Sequence, residues 1–561
     1  MRIAAGQVLE TDAYFNAFFL NFWERWARIG RIGVTCRVSG ACAVEVRGHF
    51  GDGGTRLLSE FVAGAEEENR PLWIALPQSD MPLRLSLRIR ALAELTVQDA
   101  AFVTDRPPSR PVRISVGIVT HERESHLERT VAALVGLVPE TGDLVRVHVI
   151  NQGGAFRRES LRALLDAPLF QVVEQANLGG CGGFARTMVE AMEADTRPTH
   201  LLLMDDDIVL DPRLLARAAA FAAHAMTDVA IGGQAIELER PTILQEAWGM
   251  LGPNWLPRMV GANLDLTGKA ALDLWRDCPD VHYNGWWFCM IPMRALLNCG
   301  LPTPVFIRGD DIDYGLRLRA AEVPVVPLPG LGVWHASVRY KHVGLVQFYD
   351  LRNSLITAAS NPSRGELPGP LHVLGWVMHH LLVHRYRAAA ASLRAVADFR
   401  AGPDFALKLA ASVRHRALSA ELERLPMPDR VKPGEDLSDL RRPPPFDAVR
   451  STPLTVLSAV GLVLRILLGD ASQRIGTLQI GSPDPRLIGG APYLLALDPE
   501  GRDSLVMRPR RILFLKLMLR ALWVSACYAV TRRRAAEGWR KSLPFLRSRA
   551  RWRREFAQGR D

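Results

Sequence analysis

Four apolar runs in the first half of this chain each end in a turn of unusual composition. Ile114–Val119 leads into Thr120-His121-Glu122-Arg123, and Arg146–Ile150 into Asn151-Gln152-Gly153-Gly154. Phe170–Glu174 leads into Asn177-Leu178-Gly179-Gly180-Cys181-Gly182-Gly183, and His200–Met204 into Asp205-Asp206-Asp207. Helical stretches separate the runs, and that alternation is the signature of a parallel α/β sheet. In open sheets of this kind ligands sit at the carboxyl ends of the strands. Four successive strand ends carrying polar, glycine-rich or acidic turns therefore predict a nucleotide-type cleft. With 48% hydrophobic and 23% charged residues over 561 positions, the chain has the balance of a globular protein of several domains, which excludes a disordered chain, a fibre or a disulfide scaffold.

The remaining segments read differently. Residues 1–103 hold short pieces of period two, with Leu83, Leu85 and Leu87 against Arg84, Ser86 and Arg88, as expected of an antiparallel β-sandwich. Residues 104–113 are Pro-rich and polar, a linker, and residues 114–343 form the α/β domain. From 344 to 531 helical patterning dominates, as in Leu371–Val396, with a Pro-rich break at Arg441–Pro445. The first residues lack a basic segment followed by an unbroken apolar core, so no secretory signal is expected there. Pro453–Leu468 carries Arg465, and Ile512–Val530 carries Lys516 and Arg520. A spanning helix needs about 20 nearly uncharged residues, so both are expected to be amphipathic helices, buried or lying on a surface. Seven cysteines without a CxxC pair argue against a structural zinc and for a reducing compartment.

Several residue groups can do chemistry. Alternate residues of an extended segment point the same way, so Asp205 and Asp207 can converge on a hard divalent cation, Mg²⁺ or Mn²⁺, able to hold a diphosphate. The competing reading is a solvated acidic turn. The glycine run 179–183 precedes a helical pattern over Phe184–Asp195, a place for a phosphate at a helix N-terminus or simply a tight turn. Its spacing is not GxGxxG, which leaves a dinucleotide fold poorly supported. Trp286 and Trp287 can stack on a sugar face or pack a core. Asp310 and Asp311 open a helical run, where one can serve as general base or cap the helix. His335 can complete a metal shell with Asp205 and Asp207, although a lone histidine is more often a packing residue.

In this order, TxxR, NQG, NLGGxGG, DDD, NGWWF, GDDxDYGLR and WH resemble the family 2 inverting glycosyltransferases, and within them the bacterial polymerising galactofuranosyltransferases that use UDP-galactofuranose. The likeness runs from about residue 115 to 355. It implies a GT-A type, Rossmann-like nucleotide-sugar domain behind an N-terminal β-sandwich, with a C-terminal helical region. It further implies that Asp205, Asp207 and His335 hold the divalent metal and that Asp206 lies near the nucleotide-sugar. Asp311 takes the place of the catalytic base, with Asp310 beside it. Thr120, Arg123, Gln152 and Asn177 match positions contacting uridine and diphosphate, and Trp286 and Trp287 the pair shaping the acceptor and sugar site. The expected reaction moves a galactofuranosyl residue to a hydroxyl of a glycan, a lipid-linked one, in cell-envelope polysaccharide synthesis, and the resemblance also implies homo-oligomers. The alternatives are another sugar on the same chemistry, rhamnosyl or UDP-hexopyranosyl, and a non-catalytic, membrane-associated carbohydrate-binding scaffold.

The net charge of +10 is uneven. Residues 532–561 hold eleven Lys or Arg against three Asp or Glu, so the rest of the chain is close to neutral. This basic tail, with Trp539, Phe545, Trp552 and Phe556, is expected to meet an anionic membrane surface, placing the protein at the cytoplasmic face of the cell membrane as a peripheral protein. The acidic cleft and the lack of a reader motif argue against nucleic acid.

Overall fold

The computed structural model describes residues 1–63, 71–137, 143–211, 213–337, 344–407, 410–427, 429–430, 456–468, 475–479, 493–497 and 504–557. The Pro-rich break Arg441–Pro445 lies outside them.

The period-two segments near the start pair as two four-stranded antiparallel sheets. One contains Ile32–Ser39 and Leu95–Thr104, the other Cys42–His49, Thr55–Ala63 and Arg84–Ala91. Their facing sides bury Val34, Val44, Val46, Leu85, Leu87 and Ile89. The other side of the Arg84–Ala91 strand departs from simple alternation. Arg84 and Ser86, expected in solvent, are buried as well, because Asp12 takes Arg84 Nε at 2.8 Å and Ser86 meets His49 at 2.8 Å.

The α/β domain is a nine-stranded mixed sheet. Phe170–Glu174, Leu144–Asn151, Ile114–Thr120 and His200–Asp205 lie side by side and parallel, in that spatial order. Phe288–Pro292 then pairs antiparallel with His200–Asp205, and Val325–His335 runs parallel to Ala230–Glu237. The strand order reverses after Ile114–Thr120, and such a switch point opens a crevice between the loops of neighbouring strands. Thr120 and Asp205 stand at that place. The central strands Ile114–Thr120, His200–Asp205 and Phe288–Pro292 are buried on both faces, as near-continuous apolar runs require, whereas Phe170–Glu174 exposes Val172 and Glu174.

The helical region packs Val346–Ser360, Pro370–Leu382 and Tyr386–Ala401 around a 36-residue helix, Arg511–Leu546. The expected helical stretch Leu371–Val396 is two helices, broken after Leu382. The long helix buries Phe514, Leu517, Ala521, Val524 and Tyr528, the i, i+3, i+4 stripe of an amphipathic helix. By length and composition it is also apolar enough to cross a membrane, although only 33% of its most apolar window is buried in the protein.

Residues 532–557 do not form a separate tail. The helix runs straight through position 532 to Leu546, and a second helix, Arg549–Ala557, turns back onto the α/β domain. Of the four aromatics expected at a lipid interface, Trp539, Trp552 and Phe556 are buried and only Phe545 is exposed. Their burial has a polar counterpart. Trp539 Nε1 donates to the Phe399 carbonyl and Trp552 Nε1 to that of Pro302, each at 2.9 Å. Arg547 reaches Asp313 at 3.0 Å and Thr303 at 2.9 Å. Breaking a buried pair leaves an uncompensated charge and costs about 3–5 kcal/mol. Because Arg317, 3.3 Å from Asp313, remains, Arg547→Ala is expected at the lower end, about 3 kcal/mol. Chemical denaturation measures this, and a loss under about 1 kcal/mol, the size of an exposed pair, would show that Arg547 does not lock this segment.

Candidate active site

The acids at the switch point face one another across a cavity of about 1710 Å³. Asp205 ends its strand, and Asp206 and Asp207 follow in the turn. His335 ends the Val325–His335 strand and brings Nε2 to 3.2 Å from Asp207 and 3.6 Å from Asp205. One ligand atom from each of Asp205, Asp207 and His335 lies within 4.8 Å of the others. Two carboxylates and an imidazole so arranged suit a divalent cation with open positions. Arg123 donates to Asp207 at 2.6 Å and lies 3.6 Å from Asp206, balancing the cluster's charge. Asp206 is not a member of the triad and accepts from Thr120 Oγ1 at 2.6 Å. Burial pushes its carboxyl up to about 7, with Asp207 adding to the rise and Thr120 and Arg123 opposing it.

Asp310 and Asp311 open the Asp310–Ala320 helix. The helix start is set by its approach: Phe306, Arg308 and Gly309 all have positive φ (75°, 68° and 80°). For the two non-glycine residues that conformation is costly and needs surrounding support. Asn353 provides it, donating to the carbonyls of Ile307 and Arg308 at 2.9 and 2.6 Å, while Arg352 holds that of Val305 at 2.6 Å. No side chain caps the helix; Gly309 occupies the cap position, and Asp311 Oδ1 accepts from the Ile312 amide at 2.8 Å. The capping role weighed for these acids thus falls to a glycine. Burial pushes both carboxyls up. Asp310 rises further because Asp311 is beside it, whereas Arg308 pulls Asp311 back. Asp311 is therefore the member of the pair held closer to its ionised form. This sets the sign of a pH effect: neutralising Arg308 raises the Asp311 carboxyl. Arg308→Met is expected to move the acid limb of the kcat profile to higher pH, and an unmoved limb would separate Arg308 from Asp311.

Arg123, the three acids at 205–207, Trp286, Trp287, Asp310, Asp311 and His335 all line this cavity. Trp286 does so with little exposed surface, packing edge-on against Phe184 and Tyr314 at 5.2 and 5.6 Å. Trp287 donates from Nε1 to the Gly233 carbonyl at 2.9 Å, its ring 6.5 Å from His335. Thr120, Gln152 and Asn177 stand at neighbouring strand ends but outside this lining. Gln152 holds the adjacent turn, donating to the Gly179 carbonyl at 3.0 Å and accepting from the Leu178 amide at 2.8 Å, and Asn177 Oδ1 accepts from the Gly179 amide at 2.9 Å.

The glycine run differs from expectation. It does not precede a helix but forms the first turn of one, Gly179–Glu193. A Cβ on Gly182 would meet Leu178, and one on Gly183 would meet Val119, both at 2.2 Å. Gly179 has φ +71° and lies against the Phe306 carbonyl. Three of these glycines thus allow close packing of the helix, and Gly180 lines the cavity with open space above it.

Sequence reasoning missed Glu246, Tyr283 and Arg308 in the lining. Arg308 directly precedes the acidic pair, a usable signal. Glu246 ends the short strand Ile243–Glu246 with no motif around it. Burial pushes its carboxyl up to about 8, Asp311 adds to this and Arg308 opposes it.

Two regions of the chain are similar to known protein families. Residues 111–348 match the model of a glycosyltransferase-like family 2, and residues 1–105 that of the galactofuranosyltransferase 2 N-terminal domain. The galactofuranosyltransferase GlfT2 of Mycolicibacterium smegmatis is 26% identical over 96% of this chain and 87% of its own. That of Mycobacterium tuberculosis is 29% identical over 72% of this chain and 67% of its own. Among solved structures, a mannosyltransferase of Pyrobaculum calidifontis in complex with GDP-Man and Mn²⁺ is a distant likeness, with 13% identity, a TM-score of 0.33, and coverage of 57% of this chain and 86% of that one.

Proposed function

We propose that this chain, a glycosyltransferase whose residues 111–348 match the family 2 model, transfers a galactofuranosyl residue from UDP-galactofuranose to a hydroxyl of a lipid-linked glycan, with inversion, in cell-envelope polysaccharide synthesis. The observation that carries the chemistry is the placement of the Asp205–Asp207–His335 triad and the Asp310–Asp311 pair in one cavity. The likeness to two galactofuranosyltransferases supports the choice of sugar.

Asp205, Asp207 and His335 would hold Mn²⁺ or Mg²⁺, which when bound neutralises charge on the leaving diphosphate. Arg123, now paired with Asp207, is placed to turn toward the same diphosphate, with Thr120, Gln152 and Asn177 supporting the nucleotide side. Asp311 removes the proton from the acceptor hydroxyl. The freed oxygen attacks the anomeric carbon from the face opposite UDP, whose C–O bond breaks, so the configuration inverts in one step. Trp286 and Trp287 border the space for the sugar. Proton NMR of the first product from UDP-galactofuranose tests this: inversion at the anomeric centre is expected, and retention would rule the mechanism out.

Peripheral membrane attachment belongs to this proposal, with a different surface from the basic tail. The outer face of the Arg511–Leu546 helix exposes Ile512, Leu515, Leu519, Leu522, Trp523 and Val530, spaced as one stripe. Arg520, Arg533 and Arg534 flank it and suit anionic headgroups. Burial of each large apolar side chain is worth about 1.5–3 kcal/mol. Leu519→Glu with Trp523→Glu is expected to weaken sedimentation with phosphatidylglycerol vesicles at least about tenfold; unchanged binding would move the contact elsewhere.

A further inference from the structure

One helix of the helical region reaches the catalytic pair through three bonds to the turn that precedes it. Asn353, on the Val346–Ser360 helix, donates to the carbonyls of Ile307 and Arg308 at 2.9 and 2.6 Å. One turn earlier on the same face, Asp350 accepts from Arg308 Nε at 2.9 Å. Arg308 is thus held by backbone and by side chain, at a residue whose φ of 68° is itself costly. Such strain persists only where the surroundings over-determine it, and it gathers at functional sites. Asp350 is steadied in turn. Gln347 Nε2 donates to its other oxygen at 3.4 Å, and His380 Nε2 lies 2.9 Å from Gln347 Oε1. Arg308, Gln347, Asp350 and Asn353 all line the cavity.

The hold on the side chain resolves a conflict at Asp311. A cation nearby favours the ionised carboxylate that a general base needs, and Arg308 supplies that charge. A cation in contact would defeat it. Asp311 Oδ1 already accepts from the Ile312 amide at 2.8 Å, so a direct pair with Arg308 would occupy the remaining oxygen. Charge-assisted bonds of that kind are the strong ones. Among the described residues Arg308 makes its ion pair with Asp350 and none with Asp311. With 49% of its side chain exposed, it has room to move. The other groups facing Asp311 are the acids Asp205, Asp310 and Glu246, the Tyr283 hydroxyl and the Cys289 thiol. A released guanidinium is therefore drawn toward this acidic cluster.

We infer that Asp350 is a positioning residue: it holds the Arg308 guanidinium off Asp311, near enough to lend charge but clear of the oxygen that takes the acceptor proton. This role rests on the reading of Asp311 as the base and adds to it a restraint supplied by the helical region.

The test is a double-mutant cycle in the full chain, assayed with Mn²⁺ at alkaline pH, where the base is ionised with or without Arg308. Asp350→Ala frees the arginine and is expected to lower kcat about 10- to 100-fold, with KM for the sugar nucleotide within about twofold of wild type. Adding Arg308→Met is expected to undo that loss. The double variant should transfer about as fast as Arg308→Met alone and about tenfold faster than Asp350→Ala. A residue that only supports the fold would add its cost in either background. A cooperative thermal transition checks folding, and should Asp350→Ala not fold, Asp350→Asn, which keeps an acceptor but no charge, carries the same cycle with a smaller loss. A crystal structure of the Asp350 variant should show the guanidinium on Asp311, a readout that needs no turnover. Transfer at the wild-type rate without Asp350, no gain on adding Arg308→Met, or a guanidinium that stays clear of Asp311 overturns this role. Asp311→Asn, assayed beside these, keeps the two readings apart. If it transfers at full rate, the base assignment fails, and the crystal structure alone decides whether Asp350 restrains Arg308.

Discussion

Asp311→Asn is expected to lower kcat by about 10²–10⁴-fold, the range for loss of a general base, while UDP binding stays near wild type. The size follows from the site. Asp311 is the acid that Arg308 keeps nearer its ionised form, and asparagine fills the same space without a basic oxygen. Its amide can neither take a hydroxyl proton nor carry the charge that proton transfer requires. The Ile312 amide bond to Oδ1 can be kept by the asparagine carbonyl, so the helix start should survive. Asp310→Asn is expected to cost less, because Asp310 is pushed further toward its neutral form by burial and by Asp311. The readout is single-turnover transfer beside UDP titration. Transfer at the wild-type rate would remove Asp311 from the base position, and equal losses from both substitutions would make the pair act as a unit.

Removal of the cation is expected to have the other large effect. With EDTA, or in Asp207→Ala, transfer should fall about 10³-fold, in line with losing charge stabilisation at a leaving group. Added Mn²⁺ or Mg²⁺ should restore the chelated wild type but not the variant. Asp207 is the critical acid of the triad because it faces His335 at 3.2 Å and Arg123 at 2.6 Å. Replacing it would remove a proposed ligand and leave Arg123 with the charges of Asp206, 3.6 Å away, and Asp205. Manganese binding followed by electron paramagnetic resonance gives a readout independent of turnover. Full activity in EDTA, or unaltered Mn²⁺ binding by Asp207→Ala, would contradict the role of the triad.

The strand-end acids were readable because in a parallel sheet the residue after each buried run must lie at the ligand edge; Asp205, Asp207 and Arg123 needed only that rule. The alternation of sandwich strands was readable for the same reason of period. What stayed hidden depends on contacts across long stretches of chain. Glu246 enters the cavity through pairing of its strand with Ala230–Glu237, not through any local pattern. Asn353 supports the strained turn before Asp310 from 45 residues away, so the turn and its clamp are visible only together. The basic segment shows the same limit. Its charge is plain in the sequence, yet Arg547 pairs with Asp313, 234 residues earlier, and the exposed apolar stripe on the preceding helix is the surface we propose for membrane contact. The glycine run was ambiguous for a physical reason too: close helix packing and phosphate approach both require a missing Cβ, and only the neighbours show that Gly182 and Gly183 serve packing while Gly180 is open to the cavity.

The most direct test of the central claim is the ratio of kcat/KM for UDP-galactofuranose to that for UDP-galactopyranose, measured with Mn²⁺ and a galactofuranosyl acceptor, with a UDP-hexopyranose and dTDP-rhamnose panel beside it. Both galactose donors carry the same diphosphate and differ in ring size, so the ratio isolates the sugar site from the nucleotide site. A ratio well above one, with transfer from no other donor approaching it, is the result expected of a galactofuranosyltransferase. Transfer from a hexopyranosyl or rhamnosyl donor at a higher kcat/KM would contradict it.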